Sequence, residues 1–583
     1  SDNFQFLTSH TAKEYLRQGG PLTVVRVADP DGAGTRATAL VASGSVSPSN
    51  ARSQIFTLEA LGDGPQFNSF VGSGSQFGTD NLLPKQVQSP GNDLLASGSY
   101  GGRSDNFRYE ISNRNLNKGT FTLLIRQGDD TTKSKQIIET HSNLTLDPGS
   151  SDYILKRVGN QTNTVAVEGG VAYIQPVGEF PNQSKYVRVS SLPDSRKTPN
   201  YLDSNGDVNS KLYSNSGSFI PLVGSGSFGG AFGHSPSHAL DGTAGDLEDS
   251  GQTAGSNGDQ NQKHPFAFYE NITEDSSQGI DMSDSSARPT GDTVGSAGGY
   301  GTALSILSNK DEFDFNLLFL PGVIDQATGG AGHNSIIGQA IEVCEDRGDC
   351  FLVYDASAKT STVANVKTYT SARNSSYAAT YFPWIQIQDA TAGVFRYVPP
   401  SVVMAGVYHF SDTIGQPWFA PAGLNRGGID SAVQAYRKLS QSNRDDLYDS
   451  NVNPIATFPG QGVTVFGQKT TQKKASALDR VNVRRLLINL KKFVASSSRN
   501  LVFEQNTSDL RNEFLNIVNP YMEQVQANQG LNAFRVVMDD SNNTPETIDR
   551  NMLIGQIFVQ PARTAEFIVL DFVVQPTGAA FPE

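Results

Sequence analysis

The sequence predicts an α+β protein with several domains, and three observations support this prediction. Residues 30–300 are rich in Gly and Ser and contain only short alternating apolar stretches, which are typical of β-strands joined by long loops. Between residues 315 and 410, apolar strands alternate with helix-like segments, as in a parallel sheet that helices cover. Amphipathic helices and apolar strands then follow towards the C-terminus.

The overall composition bounds the class of protein. The chain has 583 residues, enough for several domains, and its formal net charge of −13 argues against a nucleic-acid-binding protein, which needs a concentrated basic surface. Its two cysteines, Cys344 and Cys350, are too few for a disulfide framework, so we expect a reducing compartment or indifference to redox. No apolar run reaches the roughly 18 residues of a membrane span, and residues 1–20 lack a signal pattern, so we expect no membrane insertion.

The elements of the N-terminal and Gly/Ser-rich regions are short. Residues 10–18 are typical of a helix that two glycines end, and residues 22–27 predict a strand. Residues 121–126 and 171–175 predict two further strands, each bounded by turn residues. Residues 224–262 contain few large apolar side chains, so we expect most of this segment to be an exposed or mobile loop.

From residue 315 onwards the elements are longer and more regular. The predicted strands of the alternating region are residues 315–320, 351–354 and 384–387, and its predicted helices are residues 336–345, 363–370 and 401–410. After Trp418 we expect helices over residues 429–439, 478–494 and 507–526, a strand pair around residues 463–466, and strands over residues 533–538, 553–560 and 566–574.

Residues 478–494 form the most clearly patterned helix of the sequence. At about 100° per residue, one face is apolar and carries Val483, Leu486, Leu487, Leu490, Phe493 and Val494. Five cations lie mostly on the other face: Arg480, Arg484, Arg485, Lys491 and Lys492. Ser476 is a candidate N-cap, with Asp479 three residues later, and the Ser residues 496–498 end the pattern. The basic face is either solvated or binds a negative partner.

Three aspartates follow predicted strands of the parallel sheet, at the edge where α/β enzymes assemble their sites. Asp325, Asp355 and Asp389 could together hold a divalent metal ion there. Alternatively, each opens the next connection, since Asp is a preferred N-cap and turn residue. We favour the second interpretation because no His, Lys or nucleophile lies at a spacing that completes a mechanism.

Other short motifs have local explanations. The GxGxxG pattern of residues 224–229 is followed by no helix-like sequence, so it does not predict a phosphate site. His234 and His238 lie in loop-like sequence, and the tripeptide at residues 347–349 lies where a helix must turn into a strand. We therefore predict no catalytic residue, no cofactor and no metal.

Four ordered blocks of the C-terminal half resemble the tail sheath proteins of contractile-tailed bacteriophages. They are PWFAPAGLNRGGI at residues 417–429, LYDSNVNPIATFPGQGVTVFGQKT at 447–470, DRVNVRRLL at 479–487 and NNTPETIDRN at 542–551. KEYLRQGGPLTVVRV at residues 13–27 looks like the helix-strand near the N-terminus of that family, and residues 121–153 resemble its middle segment. Residues 30–100 and 190–300 match nothing in the family, as expected for its variable outward-facing insertions.

The resemblance implies a structural subunit without catalysis. Subunits of this family stack as rings around a tail tube and contract together to drive the tube through the host envelope. The implied partners are further copies of the chain, the tail tube protein, and the baseplate and tail terminator proteins, with no direct contact to nucleic acid. The implied location is the tail sheath of the virion, and the host cytoplasm before assembly.

The resemblance also implies a role for each region. Residues 1–29 and 301–412 are expected in an α/β inner core, residues 30–300 in β-rich outer insertions, and residues 413–583 in a C-terminal assembly subdomain. The five cations of the basic helix are candidates for facing the tube. Sheath subunits join through terminal arms that add strands to neighbours. The candidate strand here is Phe567, Ile568, Val569, Leu570, Asp571, Phe572, Val573 and Val574. An internal core strand is the alternative.

The chain departs from the family at its N-terminus, because it begins almost at the helix that matches residue 13. Either an N-terminal arm is absent from this sequence or the subunits of this protein are linked differently. A non-contractile virion protein, such as a capsid or fibre component, is the competing class, and a metal-dependent α/β hydrolase is a third. The alternating core joined to the four C-terminal blocks favours the sheath.

Overall fold

The computed structural model of the chain describes residues 7–25, 36–43, 54–63, 67, 104, 106–131, 133–213, 219–228, 300–325, 331–389 and 394–566. These residues fall within two compact units. The first has the bounds Ser1–His10, Thr23–Asp314 and Gly322–Val343, and the second has the bounds Thr11–Leu22, Phe315–Pro321 and Cys344–Glu583. Within the described stretches, no helix is both long enough and apolar enough to cross a lipid bilayer.

The first unit consists mainly of antiparallel sheets. The helices and strands described as far as residue 307 are α1 (Leu7–Leu16), β1 (Arg36–Ala42), β2 (Gln54–Asp63), β3 (Phe107–Asn115), β4 (Thr120–Gln127), β5 (Ile137–Thr145), α2 (Ile154–Arg157), β6 (Thr162–Glu168), β7 (Val171–Val177), β8 (Val187–Ser191), β9 (Gly224–Gly226) and α3 (Tyr300–Leu307). The sheet orders are β1-β2-β8 and β5-β4-β3-β9, while β6 and β7 form a separate hairpin. Helix α1 contributes residues to both units.

The two larger sheets of the first unit share one apolar core. Phe56 of β2 and Phe121 of β4 are stacked with ring centroids 6.1 Å apart, and both side chains are fully buried. The buried guanidinium of Arg126 at the end of β4 is neutralised inside this unit. Its Nε donates to Asp130 Oδ2 at 2.7 Å and its Nη1 to Glu110 Oε2 at 2.9 Å. A buried charge needs such partners, because desolvation without them is costly.

The remaining elements lie mostly in the second unit. They are β10 (Leu317–Ile324), α4 (Ala331–Arg347), β11 (Phe351–Asp355), α5 (Val363–Ser371), β12 (Ala378–Phe382), β13 (Ile385–Asp389), β14 (Val394–Val398), α6 (Pro400–Ile414), β15 (Ala432–Ala435), α7 (Gln441–Asp449), β16 (Asn453–Phe458), β17 (Gly462–Val465), α8 (Val481–Ser498), α9 (Ser508–Ala527), β18 (Leu531–Val537), α10 (Pro545–Asp549) and β19 (Gln556–Pro561). Strand β10 and helix α4 contribute residues to both units.

A five-stranded sheet with the order β10-β11-β12-β16-β17 is the largest sheet of this part of the chain. Strands β11, β12 and β16 are parallel, and β17 returns antiparallel to β16. Every residue of β11 and β12 is buried, as expected for parallel strands with both faces covered. A smaller antiparallel sheet has the order β14-β13-β15.

The C-terminal elements have their own apolar cluster. Leu486 and Leu490 of α8 pack with Phe514, Val518 and other side chains of α9. Strands β18 and β19 add one face of their two-stranded sheet to this cluster. Thr507 caps α9, since its side chain accepts a hydrogen bond from the backbone N–H of Leu510.

The α+β class predicted from the sequence is confirmed, and most predicted elements form. Two elements differ because of sheet pairing. The predicted helix over residues 429–439 is wrong: Ala432–Ala435 instead pairs with β13, and the helix begins later, at Gln441, where Ser440 caps it. The predicted strand over residues 384–387 forms as β13, but it lies in the smaller antiparallel sheet; the strand of the main parallel sheet is the preceding β12, which the sequence analysis did not predict.

Two further predictions need correction near turns and ends. Residues 22–25 form no strand, and Val24 is 58% exposed; no strand pairs with these residues in the described part of the chain. Gly224–Gly226, predicted as the start of a loop, is the short strand β9, which pairs with β3. Residues 229–262 of that predicted loop lie outside the described residues.

Asp355, the last residue of β11, ties the main sheet to helix α6. The backbone N–H of Ser401 donates to its Oδ1 at 3.0 Å, and the Ser401 hydroxyl donates to Oδ2 at 2.5 Å. The carboxyl therefore caps the N-terminus of α6 from a neighbouring element. Burial raises the pKa of Asp355 to about 7, although both hydrogen bonds from Ser401 oppose this shift.

We predict that Asp355→Asn flattens the pH dependence of stability. The pKa of Asp355 is higher in the folded state than its unfolded value of about 4, so the folded state binds the proton more tightly. The contribution of this carboxyl group to the free energy of unfolding is therefore greatest at low pH. As pH rises from about 4 to 7, the wild type loses stability at up to about 1.4 kcal/mol per pH unit from this group, and the neutral Asn does not. Thermal melts at pH 5 and pH 8 measure the difference.

Asp549→Asn, at an exposed position of α10, is the control and should keep the pH profile of the wild type. A variant with Asn at position 355 whose midpoint moves with pH as the wild type does contradicts the prediction.

Candidate assembly interface

The basic helix lies deeper in the second unit than its pattern predicted. It begins at Val481 and ends at Ser498, whereas Ala477–Asp479 forms a separate 3-10 turn. Ser476 caps that turn and not the helix, because its hydroxyl accepts a hydrogen bond from Leu478 N. Residues 481–486 are all buried, so the first turns of α8 are surrounded on every side.

Arg485 is buried and forms an ion pair inside the subunit. The residue is only 3% exposed. Nη1 donates to Asp412 Oδ1 at 2.8 Å and Nη2 donates to Asp412 Oδ2 at 2.5 Å, which is the two-pronged geometry that arginine favours. Burial works to lower the pKa of Arg485, but Asp412 outweighs it and raises that pKa. This pair joins α8 to α6.

Arg484 is also buried, at 5% exposure. Its Nη2 donates to the hydroxyl of Ser376, and its guanidinium lies 4.0 Å from the centroid of the Tyr377 ring. Burial lowers the pKa of Arg484. For these two arginines, the predicted exposed basic face is therefore wrong in this fold. Helical periodicity separates two faces but does not show whether the polar face meets solvent or another part of the same chain.

The two lysines at the far end of the pattern lie where the helix is less covered. Lys491 is exposed, and its Nζ donates to the hydroxyl of Tyr377 at 3.3 Å. Lys492 is partly exposed. Of the five cations, these two are accessible to a partner, and their contact with a tube stays a prediction.

Arg480, just before the helix, is held in a cluster around Glu566. Its Nε donates to Glu566 Oε1 at 2.7 Å, and Gln468 Nε2 donates to the same oxygen at 3.1 Å. The hydroxyl of Tyr448 donates to Oε2 at 2.7 Å. Burial raises the pKa of Glu566, but the three hydrogen bonds outweigh it and hold that pKa below its usual value. Three side chains from separate parts of the second unit therefore donate to this one carboxylate.

Strands β18 and β19 form a two-stranded sheet in the described part of the chain. Its strands pair antiparallel from Leu531↔Pro561 to Val537↔Gln556, with an irregularity after Leu531. Within the described residues, no third strand pairs with either of them. One face packs on the C-terminal cluster, while Phe558 on the other face is 56% exposed. Such edges present unpaired backbone N–H and C=O groups to any strand that approaches.

The candidate intersubunit strand, Phe567–Val574, lies outside the described residues. The last described residue is Glu566, and its three partners come from the end of α7, the segment after β17 and the residue before α8. The sequence analysis missed this cluster. Arg480 and Glu566 are 86 positions apart, so no local pattern relates them.

The three candidate metal ligands do not form a metal site. Asp355 is engaged by Ser401, and the buried carboxylate of Asp389 accepts a hydrogen bond from Arg396 Nε at 3.0 Å. In the part of the chain that the structure describes, no three His, Cys, Asp or Glu side chains are placed to hold a metal ion. The turn predicted at residues 347–349 forms, with Gly348 at φ 69° and Arg347 paired to Asp349. His234 and His238 lie outside the described residues.

Two family models match this chain. The phage tail sheath protein central domain matches residues 297–471, and the phage tail sheath C-terminal domain matches residues 473–575. The second match contains the buried arginines, Glu566 and the sheet of β18 and β19, and the first contains Tyr448 and Gln468, two of the partners of Glu566.

Similar proteins include two tail sheath proteins. That of Vibrio phage KVP40 is 40% identical over 188 residues, which are 32% of this chain and 28% of the relative. That of Enterobacteria phage T4 is 38% identical over 195 residues, which are 33% of this chain and 30% of the relative. The matched part of the chain therefore spans less than a third of the length of either protein.

Solved structures of sheath proteins are more distant. The sheath tail protein of Listeria innocua is 9% identical with a TM-score of 0.43, and it covers 91% of this chain and 80% of its own. TM-scores below 0.5 do not establish a shared arrangement. The similarity depends on sequence: residues 297–471 and 473–575 match the two sheath domain models, and two tail sheath proteins are 40% and 38% identical to about a third of this chain.

Proposed function

We propose that this chain is the structural subunit of a contractile phage tail sheath. Copies polymerise around the tail tube and contract to drive it through the host cell envelope. The observation that carries this proposal is the presence of both sheath domains, at residues 297–471 and 473–575, in one chain. The implied partners are further copies of the chain, the tail tube protein, and the baseplate and tail terminator proteins. The implied location is the virion tail, after assembly in the host cytoplasm.

Each region of the chain has its own role in the proposed sheath subunit. Residues 301–412 and the N-terminal segment 1–29 form an α/β inner core, and residues 413–583 form the C-terminal assembly subdomain. Residues 30–300 form β-rich outer insertions. One fact supports the outer insertions in this division: the β-sheets of residues 36–228 lie outside both sheath domain matches.

Neighbouring subunits are joined by strand addition at the sheet of β18 and β19. An open edge offers main-chain hydrogen bonds, which connect chains with few demands on side chains. Residues 567–574 supply the added strand, because they are strongly apolar and follow directly after the anchored Glu566. A linkage made by backbone bonds tolerates rotation of subunits better than one that depends on many specific side-chain contacts.

Electron microscopy of the purified, polymerised chain tests the main proposal. We expect striated tubes of uniform width, since stacked rings give an axial repeat. Smooth fibres or closed shells contradict it and favour a non-contractile virion protein.

We predict that a chain ending after Glu566 folds but does not polymerise. It keeps the described elements of the second unit and lacks the candidate strand, so its circular dichroism and melting temperature should match those of the full chain. Sedimentation and microscopy should find single subunits instead of tubes. The control ends after Val574 and keeps the strand; it should form tubes. Normal tubes from the shorter chain contradict strand addition by residues 567–574.

We predict that Lys491→Glu with Lys492→Glu weakens association with the tube. Exposed ion pairs each contribute little, so we expect roughly fivefold weaker co-sedimentation at low salt and a smaller difference at high salt. The matched control is Lys438→Glu with Lys474→Glu, which makes the same change of charge at two other exposed lysines. Equal binding by both double variants contradicts a specific role for the end of α8.

A further inference from the structure

The segment between β19 and the candidate strand is held by side chains. Strand β19 ends at Pro561, and residues 562–566 form neither helix nor strand. Ala562 N still donates to Gly530 O at 3.1 Å, but no strand ladder continues beyond it in the described residues. The position of this segment therefore depends on what its side chains bind.

Two side chains of the segment share one partner. Gln468 Nε2 donates to Thr564 Oγ1 at 2.6 Å and to Glu566 Oε1 at 3.1 Å. Arg480 and Tyr448 complete the set of donors around Glu566. Residues 563–565 are exposed, whereas the Glu566 side chain is only 18% exposed. The segment is thus fixed mainly at its end, immediately before residue 567.

The chemistry of this contact makes it stronger than an ordinary surface ion pair. One guanidinium, one phenol and one amide all donate to a carboxylate that is largely removed from solvent. Hydrogen bonds to a charged group are stronger than neutral ones, and partial burial reduces screening by salt. Arg480 also lies 5.8 Å from the Tyr448 ring centroid, so the donors support one another.

We propose that Glu566 is the anchor that fixes the end of the segment 562–566 on its own subunit before a neighbour pairs with the chain that follows it. This inference depends on the proposed function only in that residues 567–574 are the added strand. Glu566 acts as a positioning residue. Without it, the strand has to be ordered at the moment of assembly, which costs conformational entropy. The partner that the anchored segment fits is a second copy of this chain.

Tryptic cleavage after Arg563 tests the anchor in the isolated full-length subunit. Arg563 is exposed and lies inside the segment, and cleavage requires the segment to leave the surface. We expect Glu566→Gln to release the C-terminal peptide at least about tenfold faster, because loss of the charge weakens the hydrogen bonds from Arg480, Tyr448 and Gln468. Tyr448→Phe removes one donor and should give an intermediate rate. Mass spectrometry of the released peptide gives the rates.

Two controls distinguish release of the segment 562–566 from destabilisation of the whole fold. Glu546→Gln changes an exposed glutamate that pairs with Arg550 on α10, and it should cleave at the wild-type rate. Arg480→Gln combined with Glu566→Gln should cleave no faster than Glu566→Gln alone, since the two side chains act as one pair. Melting temperatures within about 2 °C of the wild type show that the fold is intact. Cleavage of Glu566→Gln at the wild-type rate overturns the anchor.

Polymerisation of the same variants tests the positioning role. Glu566→Gln should give fewer and shorter tubes than Glu546→Gln at equal protein concentration. If its cleavage is fast and its tubes are normal, the positioning role is overturned. The proposal that residues 567–574 are the added strand is tested separately. Normal tubes from the chain ending after Glu566 would contradict that proposal, and this result would not change the cleavage rates expected for the anchor.

Discussion

Burial of the first turns of α8 is the constraint on which the second unit depends. A helix that is surrounded on all sides can carry arginines only if the same chain neutralises or stacks against them. Asp412 of α6 does this for Arg485, and Tyr377 with Ser376 does it for Arg484. Breaking such a pair leaves an uncompensated charge, so these contacts hold α8 in one place more strictly than apolar packing alone.

Contacts within the second unit differ in kind from the proposed contacts between subunits. Inside the second unit, specific side-chain clusters set the positions of α8 and of the segment that ends at Glu566. At the sheet of β18 and β19, by contrast, the proposed contacts with a neighbouring subunit are made by backbone N–H and C=O groups. Side-chain clusters demand one geometry, whereas a backbone ladder accepts a strand with many sequences. A second unit that side-chain clusters hold internally, together with the proposed linkage through backbone hydrogen bonds, suits the proposed contraction.

Elements with strong local signals could be predicted from the sequence, and long-range pairings could not. The periodicity of residues 507–526 located α9 to within a residue, because the pattern and its cap, Thr507, are local. The predicted helix over residues 429–439 failed because pairing with β13, about 45 positions away, decides that segment. The residues of the candidate site also differ in whether a local pattern predicts them. The five cations were visible as a pattern, but Arg485 and Asp412 are 73 positions apart and nothing local predicts their contact.

Two carboxyl groups show why residue type alone did not reveal function here. Asp355 and Glu566 are both removed from solvent, yet their pKa values move in opposite directions. Burial dominates at Asp355, where only Ser401 donates, and the pKa rises to about 7. At Glu566 a guanidinium is among three donors, and the pKa falls. The number and charge of the donors around each carboxyl group, and not the residue type, therefore set the direction of its pKa shift.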